Sequence, residues 1–278
     1  MGEGHDISPP VFTHHFFYRV GIQPVRGGCT GTELGSRLDR VISRSLPRRQ
    51  SDRTPEMKFA FPIPEQGAND QSFRMIVRPD VWGKRARIRL SNVFGTKPVT
   101  FDGVFIGLQA SGSAVMARTS APLTFGGANA VIVEPGKYAV SDPTLLTFVR
   151  DPNDPMLTNR RLAVSFHIAG ESGPMTWHAK SLTSSYLTLP GAGSRGSEEN
   201  ESAFPQSTTS WYFLDEVDME APQPTKVVVA FGDSITDGTA STINGDDRWP
   251  DGLWWCGRSR PSVFGGSAYF CPQPRTTR

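Results

Sequence analysis

The sequence has few cysteines, little excess charge of either sign and no long apolar run. Its three cysteines are too few and too scattered for a disulfide framework or a zinc site, and we interpret Cys29, Cys256 and Cys271 as free thiols. A formal net charge of +2 gives the whole chain no electrostatic preference for nucleic acid or an anionic membrane. No stretch approaches the roughly 18 apolar residues of a membrane span. Small molecules or uncharged polymers are therefore the more suitable partners.

The N-terminus also lacks the basic start and apolar core of a secretory signal. Glu3, His5 and Asp6 occupy the positions where such a signal would be basic or neutral. The sequence as written therefore predicts a cytoplasmic location, but the missing signal does not decide the localisation.

Residues 1–53 contain eight Arg and no Lys, and a short helix is predicted there at Glu33–Ser43. We interpret this segment as a disordered leader, with a nucleic-acid-binding arm as the alternative.

Beyond the leader, apolar residues recur at every second position, which is typical of half-buried strands. The clearest alternation lies at 86–91 and 162–168, and a less regular one at 73–78. Gly, Pro, Asn and Asp turns separate these runs from further predicted strands at Val99–Gln109, Ala130–Glu134, Leu145–Val149, Ser185–Leu189 and Ser210–Val217. Many short strands without helical periodicity favour a mainly β fold, a β-sandwich or jelly roll over residues 54–220. Gly191–Asn200 is predicted to be a solvated loop within it.

A change of pattern after residue 220 indicates a second unit. Residues 221–226, with Pro222 and Pro224, are interpreted as a stiff linker. The run Val227–Phe231 is continuously apolar, as in a strand buried on both faces of a parallel α/β sheet. We therefore predict that residues 227–251 begin an α/β domain.

The residues after this strand have the chemistry of a nucleophile turn. A strand that ends in Gly232-Asp233-Ser234 would place a hydroxyl at the carboxyl end of a parallel sheet, where α/β proteins bind ligands. Gly232 permits a tight turn and close substrate approach. The backbone N–H of Ser234 would be available to a developing oxyanion. Asp233 is predicted to cap the turn through its carboxylate.

The segment Gly232-Asp233-Ser234-Ile235-Thr236-Asp237-Gly238, directly after an apolar strand, resembles the first block of the GDSL (SGNH) hydrolases. Residues 89–95, 123–127, 141–143 and 162–165 are similar to the β-domain that precedes the catalytic domain in one bacterial branch of that family. The resemblance implies a serine ester hydrolase, that is, an esterase, lipase or acylhydrolase. Ser234 would be its nucleophile, supported by the turn residues Gly232, Asp233 and Gly238. It implies a small ester or acylated carbohydrate as substrate, no metal or organic cofactor, and a family whose members are often exported.

The resemblance implies that residues 248–251 continue the family pattern into a helix, and the sequence departs from that family after Asp251. The family supplies its base from an Asp-x-x-His motif and two oxyanion donors from later Gly and Asn blocks, and neither a triad His nor a triad Asp is found here. All five histidines precede Ser234: His5, His14, His15, His167 and His178. Residues 252–278 contain no Asp, Glu or Lys and follow neither period, so we interpret them as an aberrant tail, from a frameshift or a natural divergence. We therefore expect the chain to be inactive.

Other candidate residues have simpler interpretations. His167 falls on the polar face of a strand and is predicted to be solvated, whereas His178 beside Trp177 could line a groove or an interdomain surface. Asp246 and Asp247 lack the further ligands of a cation site and are predicted to form an exposed acidic loop. The remaining side chains are arginines expected in solvent and tryptophans that are either core residues or sugar-stacking platforms: Arg74, Arg78, Arg87, Arg89, Trp82, Trp177 and Trp211. Platforms would favour the alternative function, a non-catalytic module that binds a carbohydrate or a protein partner.

Overall fold

The computed structural model describes residues 16–22, 36–38, 60–61, 66–221 and 226–251. The predicted mainly β fold is confirmed, because antiparallel strands form nearly all of its regular structure. The strands in these residues are β1 (Phe16–Ile22), β2 (Ser36–Leu38), β3 (Asn69–Val77), β4 (Arg85–Ser91), β5 (Val99–Ser111), β6 (Ala114–Val115), β7 (Ala121–Pro122), β8 (Val131–Val133), β9 (Tyr138–Val140), β10 (Thr144–Leu145), β11 (Leu162–Glu171), β12 (Trp177–His178), β13 (Ser185–Leu187), β14 (Gln206–Thr208), β15 (Trp211–Tyr212), β16 (Leu214–Met219) and β17 (Lys226–Gly232).

Helical structure in these residues is short. A 3₁₀ turn at Pro155–Leu157 begins after Asp154, whose carboxylate accepts the Met156 N–H at 2.9 Å. Residues 249–251 are helical, in agreement with the helix predicted to start in this region. No helix of the described residues is long and apolar enough to cross a membrane.

Two sheets face each other across an aromatic core. The larger has the strand order β14-β13-β3-β11-β5-β6, with β7 and β8 also paired to β5. The smaller has the order β10-β4-β16-β2, with β9 also paired to β4. Phe73 stacks on Phe166 with ring centroids 5.4 Å apart, and Phe101 meets Phe213 edge-on at 5.2 Å. These contacts join the two sheets, because Phe213 lies beside β16 while the other three rings belong to the larger sheet.

The outer face of the larger sheet is buried, contrary to the sequence prediction. Arg74 on β3 is fully buried, and its guanidinium donates to the Ser113 and Glu198 carbonyls at 2.6 and 2.5 Å. The Phe204 ring lies 4.0 Å from its Cζ. Burial lowers the pKa of Arg74 to about 10, because desolvation disfavours the charged form. The predicted solvated loop, Gly191–Asn200, therefore packs across this face, and Arg74 anchors it.

His167 lies on the same covered face of the sheet, so the prediction that it is solvated is wrong. Its ring is buried, with Nδ1 2.7 Å from an Asp102 oxygen and Nε2 2.9 Å from an Asp70 oxygen. Strand alternation identified the correct face, but it could not show that a loop crosses that face. A Cβ on Gly103 would lie 2.1 Å from the Ser194 hydroxyl, so the loop approaches β5 closely beside this histidine.

Two arginines on the smaller sheet are also paired rather than solvated. Arg89 is buried and binds both carboxylate oxygens of Asp215 at 2.7 Å, with Glu216 at 3.0 Å. Arg87 is partly exposed and bonds Asp218 at 2.9 Å across the β4–β16 pair. Each arginine thus faces a carboxylate on the neighbouring strand, a relationship that depends on strand register.

Three further predicted elements differ from those in the structure. The helix predicted at Glu33–Ser43 is wrong at Ser36–Leu38, which pairs with β16 as a strand. The strand predicted at Val227–Phe231 is present as β17, but it is antiparallel to β1 rather than part of a parallel sheet. The strand predicted at Leu145–Val149 ends at Leu145, where the chain turns so that Leu146 and Val149 both enter the core.

Candidate functional site

The predicted nucleophile segment forms a compact turn directly after β17. The Asp233 carboxylate accepts the Ile235 N–H at 2.9 Å, so its predicted capping role is confirmed. Asp237 N–H donates to the Asp233 carbonyl at 3.0 Å, and Thr239 N–H donates to the Ser234 carbonyl at 2.9 Å. Residues 233–239 thus form successive helix-like turns that present Ser234 at their outer edge.

Two glycines make this turn possible. A Cβ on Gly232 would lie 2.2 Å from the Thr236 hydroxyl, so the strand end and the turn touch where a side chain would stand. Gly238 has a φ of +81°, and a Cβ there would lie 2.4 Å from the Arg248 side chain. Gly238 therefore meets both a conformational and a steric requirement for glycine.

Ser234 is exposed to solvent, as are its neighbours Asp233 and Ile235. Within the part of the chain that the structure describes, neither its hydroxyl nor its backbone N–H has a hydrogen-bond partner. An open hydroxyl next to an open N–H is the arrangement that a nucleophile and an oxyanion donor require.

The opposite side of the turn is buried against the β-sandwich. Asp237 meets His178 of β12, and the imidazole Nε2 lies 2.9 Å from one carboxylate oxygen and 3.0 Å from the other. Its hydrogen bond is directed at the second of these oxygens. Both side chains are at most 4% exposed. The prediction that His178 could lie on an interdomain surface agrees with this contact.

Arg248 provides a second connection between the turn and the sandwich. Its guanidinium donates to the Ser181 carbonyl and, at 3.4 Å, to the Lys180 carbonyl. Its backbone N–H donates to the Asp251 carboxylate at 3.1 Å. The Arg248 side chain also packs over Gly238, so it links the sandwich loop to the turn that carries Ser234.

Asp246 is the centre of an ionic cluster rather than part of an exposed acidic loop. Its carboxylate lies 3.3 Å from Nε of Arg78 and 2.5 Å from Arg161, while Asp251 lies 3.4 Å from Arg78. Burial raises the pKa of Asp246, and the two arginines act in the opposite direction. Asp247 is exposed and accepts from the Thr242 N–H and hydroxyl, as predicted for a loop residue.

A small cavity lies inside this interface. It is lined by Arg78, Trp211, Asp246 and Arg248 among others, and its volume of about 20 Å³ suits one water molecule. Ser234 is not among the residues that line this cavity.

Trp82, Trp177 and Trp211, the three candidate stacking platforms, belong to the core or pack against it. Trp82 and Trp211 are buried, and Trp177 stacks on Tyr212 with ring centroids 6.1 Å apart. The predicted core interpretation is therefore confirmed for all three. In the described ranges no group of three or more His, Cys, Asp or Glu side chains is arranged to hold a metal ion.

Sequence reasoning missed the partners of the turn. Asp237 lies inside the recognised segment, but only the fold brings it to His178, 59 positions earlier. Several candidate residues lie outside the described part of the chain: the linker residues 222–225, the tail 252–278, His5, His14, His15 and all three cysteines.

No protein-family model matches the chain, and no curated protein matches it either.

Proposed function

We propose that the chain carries the nucleophile segment of an SGNH-type serine ester hydrolase, docked on a β-sandwich module. The observation that carries this proposal is Ser234, exposed on a turn that follows a strand, with an open hydroxyl and an open N–H. In the proposed reaction the Ser234 oxygen attacks the carbonyl carbon of a small ester or acylated carbohydrate. The alcohol leaves, and water then hydrolyses the acyl-serine.

The Ser234 hydroxyl needs a base to remove its proton, since it is a weak nucleophile unaided. The two described histidines both direct Nε2 at a carboxylate: His167 at Asp70 and His178 at Asp237. Neither contact presents an imidazole nitrogen to Ser234. We therefore propose that His178 positions the turn that carries Ser234 without activating its hydroxyl, and that the chain by itself hydrolyses esters negligibly.

The first experiment measures p-nitrophenyl acetate hydrolysis and fluorophosphonate labelling by the full chain, by Ser234→Ala and by the matched control Ser241→Ala. All three should give the same background rate and no labelling. Loss of a triad member leaves at most about 10³- to 10⁴-fold acceleration over water even when the remaining site is intact. Turnover that Ser234→Ala alone removes would contradict the inactivity and make His178 the first candidate base.

A second experiment tests the identity of the nucleophile. Residues 1–251 are joined to the later part of an SGNH catalytic domain that contains the Gly-x-Asn and Asp-x-x-His blocks. We expect a folded chimera to gain ester hydrolysis that Ser234→Ala abolishes and Ser241→Ala retains. A folded, monomeric chimera that is inactive, or that is labelled elsewhere, would overturn the proposed role of Ser234.

The alternative function, a carbohydrate-binding module, predicts exposed aromatic platforms. Trp82 and Trp211 are instead buried, and Trp177 packs against the core. These tryptophans therefore give the alternative no support, and the exposed serine favours the hydrolase proposal.

A further inference from the structure

Residues 237–251, the segment that docks on the sandwich, contain the one Asn-Gly pair of the sequence, Asn244-Gly245. An asparagine before glycine is the pair most prone to deamidation, because no side chain on the glycine hinders attack by its backbone nitrogen on the asparagine side chain. Asn244 is exposed and adopts a left-handed φ of +61°. Sequence and accessibility alone would thus predict rapid reaction at this pair.

The structure shows, however, that the reacting groups of this pair are held. The Asn244 side chain accepts the Ser184 N–H at 2.8 Å and donates to the Ser184 hydroxyl at 2.9 Å. Its backbone N–H donates to the Leu182 carbonyl at 2.7 Å, and its carbonyl accepts from Arg161 at 3.0 Å. The attacking nitrogen of Gly245 donates to the Thr242 carbonyl at 2.9 Å.

We propose that Asn244 is a self-modification site that reacts only when the docked segment leaves the sandwich. The deprotonated Gly245 nitrogen attacks the Asn244 side-chain carbonyl carbon, and a C–N bond forms. Ammonia then leaves with a proton from the solvent, which gives a succinimide. Water opens that ring to aspartate or isoaspartate. No oxidant, reductant or co-reactant besides water takes part.

The hydrogen bonds prevent this reaction in the docked state for two reasons. The bond to Thr242 keeps the Gly245 nitrogen protonated, and the bonds to Ser184 fix the side chain so that it cannot rotate towards that nitrogen. When the segment leaves the sandwich, both restraints are released at once. The modification therefore records whether segment 237–251 has been undocked, and it is independent of the chemistry proposed for Ser234.

The products would weaken docking permanently. An aspartate adds a negative charge beside Asp246 and Asp247 and replaces the donor that bonds the Ser184 hydroxyl. An isoaspartate adds a methylene to the backbone, so the contacts to Leu182 and Arg161 can no longer form together. A single undocking event long enough for cyclisation thus becomes irreversible.

The experiment incubates the full chain at mildly alkaline pH, folded and unfolded in urea, and measures released ammonia and the modified peptide by mass spectrometry. Folding should slow the reaction at Asn244 at least about tenfold, the factor that corresponds to about 1.4 kcal/mol, or one to two net hydrogen bonds. Asn129, exposed and followed by Ala130, is the internal reference and should stay unmodified in both states.

Two variants test the gating. Ser184→Ala removes the hydroxyl partner and Arg161→Ala removes the carbonyl partner, and each should raise the folded-state rate about fivefold, as expected for one hydrogen bond. The control Ser207→Ala, an exposed serine on β14, should leave the rate unchanged. Equal rates in the folded and unfolded chain, no reaction in urea, or folded variants with the wild-type rate would each overturn the proposal.

Discussion

The imidazole of His178 and the carboxylate of Asp237 form a buried pair that joins the β-sandwich to the turn that carries Ser234. Nε2 lies within 3.0 Å of both carboxylate oxygens, and the two residues are 59 positions apart in the chain. Because a buried polar group that loses its partner keeps its full desolvation penalty, this contact makes the order of the turn depend on the sandwich. The turn is therefore positioned by tertiary contact as well as by its own hydrogen bonds.

We predict that His178→Leu releases the turn. It leaves the Asp237 carboxylate buried without its imidazole partner, and a buried polar group that loses its hydrogen-bond partner typically costs about 1–3 kcal/mol. Proteolysis within 232–251 should therefore accelerate, while the sandwich stays intact. His178→Gln, which retains an N–H donor, should restore part of the protection. Equal cleavage rates for wild type and His178→Leu would show that the pair does not hold the turn.

Arg74→Met should destabilise the sandwich by at least about 3 kcal/mol, since it leaves the Ser113 and Glu198 carbonyls without their buried donor. The measurement is the free energy of unfolding in urea. Arg85→Met is the matched control, because Arg85 begins β4 on the neighbouring sheet and is exposed, and it should change stability by less than about 0.5 kcal/mol. Similar losses in the two variants would contradict the anchoring role of Arg74.

Asp246 predicts a specific pH dependence. Its pKa is raised in the folded chain, mainly by burial, so the folded state binds more protons than the unfolded state in the window above the ordinary carboxyl pKa. The contribution of Asp246 to stability should therefore fall as pH rises from about 4 through its folded pKa. Asp246→Asn should remove that slope from the unfolding free energy, whereas Asp247→Asn should keep it. If the unfolding free energies of wild type and Asp246→Asn changed in parallel with pH, Asp246 would not be the source of the slope.

Gly238→Ala should be more harmful than Gly191→Ala, although both glycines have positive φ, +81° and +74°. A left-handed conformation costs a non-glycine residue roughly 1–2 kcal/mol at either site. At Gly238 the new Cβ would also lie 2.4 Å from Arg248, whereas at Gly191 it would meet no heavy atom within 4 Å. Urea unfolding of both variants measures the difference in the free energy of unfolding. Equal losses would show that the Arg248 side chain can move away from the new Cβ without loss of stability.

The sequence predicted those features that depend on local pattern. Alternation located the long strands, such as β11, because a strand half-buried in any sheet must alternate. Asp233 was predicted to cap its turn because an Asp side chain reaches the N–H two residues later whatever surrounds it. The core interpretation of Trp82, Trp177 and Trp211 was one of the two alternatives, and it holds because burial of a large apolar surface is favourable in a sandwich.

What the tertiary structure decided is which faces are covered and which distant residues meet. Alternation placed Arg74 and His167 on a polar face, yet the loop Gly191–Asn200 crosses that face, and both side chains are buried. The contacts of Asn244 with Ser184 and of Asp237 with His178 span dozens of residues, and no local signal encodes them. Local propensity acts between neighbours in the chain, whereas burial and pairing depend on the whole fold. The sequence therefore determined the turn that presents Ser234, and only the tertiary structure decided what holds that turn in place.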